Sequence, residues 1–305
     1  MRFLDEHRDR FGGVEPICRV LTEHDCPIDP STYYHAKKRP PSARSVRDTE
    51  LKALIVRVHR ENFGVYGVRK LWRELNRRGE PVARCTVERL MREAGLSGAV
   101  RGKKVRTTVP DPSAERAPDL LKRQFVASAP NRCQVADFTH VPAHAGTVYV
   151  AFVVDTYSRR IVGWSAATSK ATALVLGALE TGLWQRDRAG QDRAGLIHHS
   201  DAGSQYTSFR LAAHLAGEHI AACIGTVSDA LDNALMDSTI GLYTTELITR
   251  RGPWRTLTDV EPGTAKWIDW YNNRRLHDEI GHVPPVEYET ESYLTQPNPQ
   301  LEAQT

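Results

Sequence analysis

Three aspartates carry the chemistry open to this chain: Asp137 in CQVADFTH, Asp201 in LIHHSD and Asp237 in DNALMDS. The first two sit in or at the end of apolar, strand-like runs, and the third opens a helical stretch. Carboxylate oxygens suit hard divalent cations such as magnesium. Two strands and a helix that bring three carboxylates into one cleft make a site for two metal ions. Such a pair stabilises the attacking and leaving oxygens of an in-line phosphoryl transfer. At Asp137 the apolar strand makes an unpaired carboxylate costly, and a metal offsets that cost. The plainer alternative there is a buried aspartate hydrogen-bonded to backbone. Asp201 closes a buried strand, where the ligands of α/β sheets collect. His198 and His199 flank it, but oxygen-seeking magnesium gives no reason to expect imidazole ligands.

The elements that must position these carboxylates fall within residues 131–290. QVADFTHVPA, TVYVAFVVDTYS and IVGWSAA read as three strands, with turns at HAG and SRR. KATALVLGALETGLWQR reads as a helix with Leu174, Leu179 and Leu183 near one face. LIHHSD is a fourth strand, SFRLAAHLAGE a helix and HIAACIG a fifth strand. The polar loop GTVSDALDN leads into a helix that starts near Asp232. TAKWIDWYNNRRLHDEIGHVPPVEYE closes the core with a helix that turns Trp267 and Trp270 inward. Arg274 and Arg275 lie near its C-terminal end, where cations complement the helix dipole. Strands first, then alternating helix and strand, indicate an α/β layer.

Upstream, residues 46–96 read as three short helices. Leu51, Leu54, Ile55 and Val58, then Val68, Leu71, Trp72 and Leu75, then Val87, Leu90 and Met91 supply their apolar faces. Arg69, Lys70 and Arg73 charge the second helix, and Arg84, Arg89 and Arg92 face out from the third. Three short helices with a basic last one suggest a helix-turn-helix domain that holds double-stranded DNA. A plain three-helix bundle with a solvated basic surface is the alternative. Thr86 is placed to cap the third helix, although Arg89 stands where a capping box needs an acid. Residues 97–130 read as a basic linker, with Lys103 and Lys104 in RGKKVR set to lie along a DNA backbone. Residues 1–45 read as a helical segment around PICRVLTEH, then a turn and linker, DPSTYYHAKKRPP. Cys18, His24, Cys26 and His35 lack the ligand spacing of a zinc site. Residues 291–305 read as a disordered tail.

At 305 residues the chain is long enough for two or more cored domains. No apolar run approaches the roughly 20 residues of a membrane helix. MRFLDEHRDRFGG has no apolar signal core. The five cysteines are odd in number and scattered, which fits reduced thiols in a cytoplasm. A net charge of +4 says little about nucleic acid, but basic residues outnumber acidic ones from Lys37 to Arg106.

VADFTH, YVAFVVDTYSRRIVGW, HHSDAGSQYTS, DNALMDS, YNNRRLH and PPVEYE, in that order, resemble the transposases of bacterial insertion sequences of the IS-three type. These belong to the wider group of DDE transposases and retroviral integrases. The likeness runs from about Phe11 to Tyr288. It implies an α/β, ribonuclease-H-like integrase catalytic core preceded by a small all-α helix-turn-helix domain. It implies a cytoplasmic, nucleoid-associated DNA transposase using two Mg2+ ions, or Mn2+ in their place. Asp137, Asp201 and Asp237 would be both the catalytic and the metal-binding residues. Water, then a DNA 3′-hydroxyl, would attack phosphodiester bonds at terminal inverted repeats and in target DNA. Arg274 and Arg275 would join the basic helices and linker in contacting DNA. The chain would assemble as a homo-oligomer on DNA. An upstream reading frame would supply a further helix-turn-helix segment, as a protein or a fusion, with this chain as the downstream product. Asp237 follows Asp201 by 36 positions, the interval between the family's second and third carboxylates. The family gives Asp155 no catalytic role, so it reads as structural.

Four positions depart from the family pattern. The family has glutamate where this chain has Asp237, and lysine or arginine where it has Thr244. It has tryptophan where this chain has Gln134, and glycine where it has Ser228. Aspartate is one methylene shorter, and octahedral magnesium tolerates little displacement at about 2.0–2.1 Å. These departures suggest impaired chemistry. They keep open a decayed or repurposed derivative that binds DNA without cleaving it. A ribonuclease-H-type nuclease is disfavoured by the basic helical domain and by YNNRRLH.

Overall fold

The computed structural model describes residues 1–102, 127–200, 205, 208–224 and 234–295. The chain divides into two compact units, Met1–Leu54 and Ile55–Thr305. Helices α1 (Arg2–His7), α2 (Val14–Glu23) and α3 (Pro30–Lys38) fill the first, and α4 (Ala43–Glu61) begins in it. Leu4, Val14, Ile17, Cys18 and Tyr33 form its core. Helix α3 occupies the stretch expected to be turn and linker. Asp29 caps it by accepting the backbone N–H of Ser31 at 2.8 Å. Pro30, at the first helical position, has no N–H to leave unsatisfied. Tyr33 then anchors the helix, buried and donating its hydroxyl to Asp5 at 2.8 Å.

In the second unit α4 ends, followed by α5 (Val68–Arg77) and α6 (Arg84–Glu93). Ile55, Val58, Leu71, Leu75, Val87 and Leu90 are fully buried, as their helical spacing requires. Helix α6 starts at Arg84, so Thr86 lies inside it and does not cap it. These helices share packing with the rest of the unit. The Tyr66 hydroxyl accepts the N–H of Leu276 at 2.8 Å, and Trp270 Nε1 donates to Asn62 Oδ1 at 3.0 Å.

Strands β1 (Cys133–Ala143), β2 (Gly146–Asp155) and β3 (Ile161–Ala167) form an antiparallel meander. β4 (Ile197–Ser200) and β5 (Ala221–Ile224) add in parallel to β1, giving the order β3-β2-β1-β4-β5. Helices α7 (Thr172–Arg188) and α8 (Phe209–Gly217) cover one face, packing Leu179 and Leu215 with Ala136, Ala151 and Val153. Gly163 lies where a Cβ would run into the Ala178 carbonyl, so α7 rests directly on the backbone of β3. The other face carries α9 (Ala234–Tyr243), a π-helical turn at Thr244–Ile248, α10 (Thr249–Arg251) and α11 (Leu257–Asn273). There Phe152, Tyr243 and Trp267 pack edge to face at centroid distances of 5.0 and 5.2 Å. A meander followed by parallel strands, with helices on both faces, is the ribonuclease-H-like arrangement that the motif order implied.

Helix α12 (Pro285–Thr295) extends past residue 290, into the stretch expected to be a tail. It is held by buried charges that reach it from the sheet and α7. Asp155, Arg186 and Glu289 are 1%, 4% and 2% exposed. Arg186 donates to Glu289 Oε2 at 3.0 Å and lies 3.7 Å from Asp155. Arg160 donates to the other Glu289 oxygen at 2.8 Å. Asp155 also accepts the backbone N–H groups of Asn131 and Ser158, each at 2.8 Å, which is the structural role expected of it. Burial alone would raise the Glu289 pKa, but the bonds and charge of Arg186 hold it below the usual glutamate value. Tyr293, on the same helix, accepts Asn131 Nδ2 at 3.0 Å, which ties this last turn to the core.

Candidate active site

Among the described residues, pairing of β1 with β4 runs to Ala136–Ser200, and that of β4 with β5 to Ser200–Ile224. Asp137 is the next residue of β1, and the strand continues along β2 to Ala143. Its half-buried carboxylate therefore lies at the C-terminal end of the parallel strands, where α/β sheets place ligands. Oδ1 accepts the backbone N–H of Phe138 at 2.8 Å. Asp137 pairs with Phe152 in the antiparallel register, and directly opposite residues share a face. Phe152 packs on Tyr243 of α9, so Asp137 belongs to the α9 face of the sheet.

Asp237 lies in the first turn of α9 and is exposed. Met236, Thr239 and Tyr243 form the buried face of that helix, which turns Asp237 outward. Tyr243 shares a 2.7 Å hydrogen bond with Thr264 Oγ1 and so fixes α9 against α11. A carboxylate in the first turn is favoured by the helix dipole. Asp201, Lys103, Lys104 and Ser228 lie outside the described residues. Among the described residues no group of three or more His, Cys, Asp or Glu side chains gathers to hold a metal. Asp137 and Asp237 nonetheless offer the hard oxygen donors that magnesium takes.

Gln134, where the family pattern has tryptophan, pairs in register with His198, and its Nε2 lies 3.0 Å from His198 Nδ1. Burial, with His199 beside it, pushes His198 down to about 4, so the ring is neutral at physiological pH. His199 Nδ1 lies 3.2 Å from Cys223 Sγ on β5. Both imidazoles are thus engaged by neighbouring strands.

The basic residues separate into surface and interior groups. Arg69, Arg84, Arg92 and Arg274 are exposed, with Arg92 3.6 Å from Glu88 and Arg274 3.7 Å from Asp269. Arg89 pairs with Glu93 at 2.9 Å. Arg73 is half-buried, 5.5 Å from the Trp72 ring centroid. Lys70 turns inward, 3.9 Å from Asp278, and burial and Arg275 push its pKa down to about 8. Arg275, expected at a DNA surface, is 4% exposed and grips Glu246 at 2.7 Å. The Glu246 side of that pair escaped sequence reading, although Thr239, Tyr243 and Glu246 follow helical spacing along one buried face.

A family model described as an HTH-like domain matches residues 46–104, and integrase core domain models match residues 127–228 and 219–285. That order defines a class, the DDE-type polynucleotidyl transferases. The chain is 53% identical to a Mycobacterium tuberculosis protein named as a transposase for insertion sequence element IS986/IS6110, over 90% of this chain and 99% of that one. It is 46% identical to the transposase for insertion sequence element IS629 of Shigella sonnei, over 99% of this chain and 100% of that one. Among solved structures, the HTLV-2 integrase catalytic core domain aligns with 53% of this chain and 99% of its own, at 15% identity and a TM-score of 0.41. The chain belongs to the insertion-sequence transposases of the IS-three type.

Proposed function

We propose that the protein binds the terminal inverted repeats of an insertion sequence and catalyses Mg2+-dependent DNA cleavage and strand transfer. The observation that carries this reading is Asp137, a half-buried carboxylate at the end of the parallel strands, on the sheet face that holds α9. Asp237 stands in the first turn of that helix. With Asp201, the two would hold a pair of Mg2+ ions, or Mn2+ in their place. Bound there, the metals would stabilise the attacking and leaving oxygens of the phosphodiester. Asp137 is oriented by its strand and by the Phe138 N–H that its Oδ1 accepts. Arg69, Arg84, Arg92 and Arg274 set cations on the surface for DNA phosphates, and Lys103 and Lys104 of the linker would add to them. The working form is a homo-oligomer on DNA in the cytoplasm, at the nucleoid, with an upstream-frame helix-turn-helix segment as partner or fusion.

Asp237 favours a second reading, a catalytically impaired derivative that binds DNA. Its carboxylate is one methylene shorter than glutamate, and three buried side chains fix the register of its helix. A helix so anchored does not shift to make up the missing reach. The test uses a duplex ending in the element's own inverted repeat, with Mg2+ and any upstream-frame segment supplied. Repeat-specific binding with end cleavage supports the first reading, and binding without cleavage supports the second. No preference for the repeat over scrambled duplex overturns both.

A further inference from the structure

Lys70 turns away from the exposed Arg69 beside it and lines a cavity of about 370 Å³. Arg159, Arg275, Asp278 and Glu279 share that lining. The Lys70 side chain is 23% exposed, with Nζ 5.9 Å from the centroid of the Tyr66 ring. Tyr66 is buried and fixed by the N–H of Leu276, so it shields the lysine stem from water. The nearest carboxylate, Asp278, lies 3.9 Å away, beyond hydrogen-bond reach. Arg275 is clamped by Glu246 at 2.7 Å, so its charge cannot swing clear of the lysine. The other titratable groups nearby do not offset that charge. Glu74, one turn on along α5, is engaged by Arg78 at 2.7 Å. Burial and Arg275 hold His277 well below the ordinary histidine value, and burial raises Tyr271, so both are neutral. Burial first, and then Arg275, brings the Lys70 ammonium from the ordinary 10.5 down to about 8. At pH 7.5 roughly a quarter of such amines are neutral, about two hundred times the share of an ordinary lysine. The cavity is open to solvent where Asp278 and Glu279 are exposed. Its volume is near the low end of small-molecule sites, which run from roughly 300 to 1,000 Å³.

We propose that Lys70 is a site of lysine acylation whose acyl donor is a small acyl phosphate. The lone pair of the neutral amine attacks the acyl carbonyl carbon. The C–N bond forms, the C–O bond to phosphate breaks, and phosphate leaves with that electron pair and takes the proton the amine gives up. The cavity suits a compact donor. Arg275 is buried and Arg159 half-buried, whereas Asp278 and Glu279 are exposed. Positive charge therefore sits deeper, where the lower dielectric makes it count for more, and this favours an anionic donor. Acylation turns the ammonium into a neutral amide, so α5 loses the charge that it presents to Asp278.

The test is site-resolved mass spectrometry of the native full chain incubated with acetyl phosphate at pH 7.5. The same chain unfolded in guanidinium chloride is the reference, so Lys70 is compared with itself. Nucleophilicity falls with pKa, with a Brønsted slope of about 0.4–0.5 for thiols, which takes back roughly a factor of fifteen from the larger neutral fraction. Lys70 should therefore be acetylated about tenfold faster in the folded chain than in the unfolded one. A lysine that is merely buried reacts more slowly when folded. The folded rate should also level off above about pH 8, while the unfolded rate keeps rising towards about pH 10. An equal or slower rate at Lys70 in the folded chain, or a folded rate that does not level off, overturns the acylation site. Rapid acetylation by the uncharged donor N-hydroxysuccinimidyl acetate, with none from acetyl phosphate, overturns the donor class.

Discussion

Replacing Arg275 by methionine should destabilise the fold rather than strip a cation from the surface. Arg275 and Glu246 are 4% and 5% exposed. The guanidinium gives Glu246 bonds of 2.7, 3.1 and 3.2 Å and lies 5.9 and 5.8 Å from the ring centroids of Trp270 and Tyr271. Once Arg275 is gone, the bond that remains to Glu246 from the neighbouring helix is the Trp267 indole N–H at 3.4 Å. Breaking one side of a buried ion pair leaves the other charge uncompensated and costs about 3–5 kcal/mol. Domains of ordinary stability have only about 5–15 kcal/mol in total. Glu246→Leu should cost a similar amount. The double variant should recover most of the loss, because the two sites act on one interaction. Urea unfolding followed by tryptophan fluorescence reads this directly, since Trp267 and Trp270 are buried beside the pair. A cost below about 1 kcal/mol for Arg275→Met, or strictly additive single effects, would refute the reasoning.

Three further outcomes are expected. His198 is held near 4 in the folded chain, below the ordinary 6.5, so the unfolded chain takes up the proton first. Stability should hold above about pH 6.5 and fall by about 3 kcal/mol as pH drops to about 4, with His198→Gln flattening the curve. A native curve without this slope in urea titrations contradicts the burial argument. Glu289→Gln should lower the thermal midpoint by roughly 10 °C, because Arg186 and Arg160 lose their shared carboxylate. The lowered Glu289 pKa contributes stability above the ordinary glutamate range that is lost as pH falls through the folded value. An unchanged midpoint would remove Glu289 as the anchor of α12. Asp237→Glu should raise Mg2+-dependent end cleavage more than Thr244→Lys does, because in the proposed function it acts on a metal ligand rather than on DNA placement. A native chain as active as one carrying both Asp237→Glu and Thr244→Lys would show that Asp237 is a competent ligand.

The strands were legible because β1, β2 and β3 are short apolar runs, buried over consecutive residues and separated by short turns, and the apolar faces of α4 to α6 were legible from their helical spacing. Helix α3 was missed because Asp29-Pro30 serves equally as a turn and as a helix cap. What decides between them is Tyr33, whose burial depends on distant residues. The basic residues misled in a similar way. Sequence marks Lys70 and Arg275 as charges, but only the tertiary packing reveals Asp278 and Glu246 facing them. At the candidate site the motifs picked out Asp137 and Asp237. Their relation through Phe152 and Tyr243 needed the sheet register.

The claim that matters most is that Asp137 acts through a bound metal. The direct measurement is nicking at the 3′ ends of an inverted-repeat duplex by the Asp237→Glu chain, with and without Asp137→Asn, in Mg2+ and in chelator. Mg2+-dependent nicking that Asp137→Asn lowers by about a hundredfold or more is the predicted result. Nicking that survives Asp137→Asn, or that continues in chelator, would contradict it.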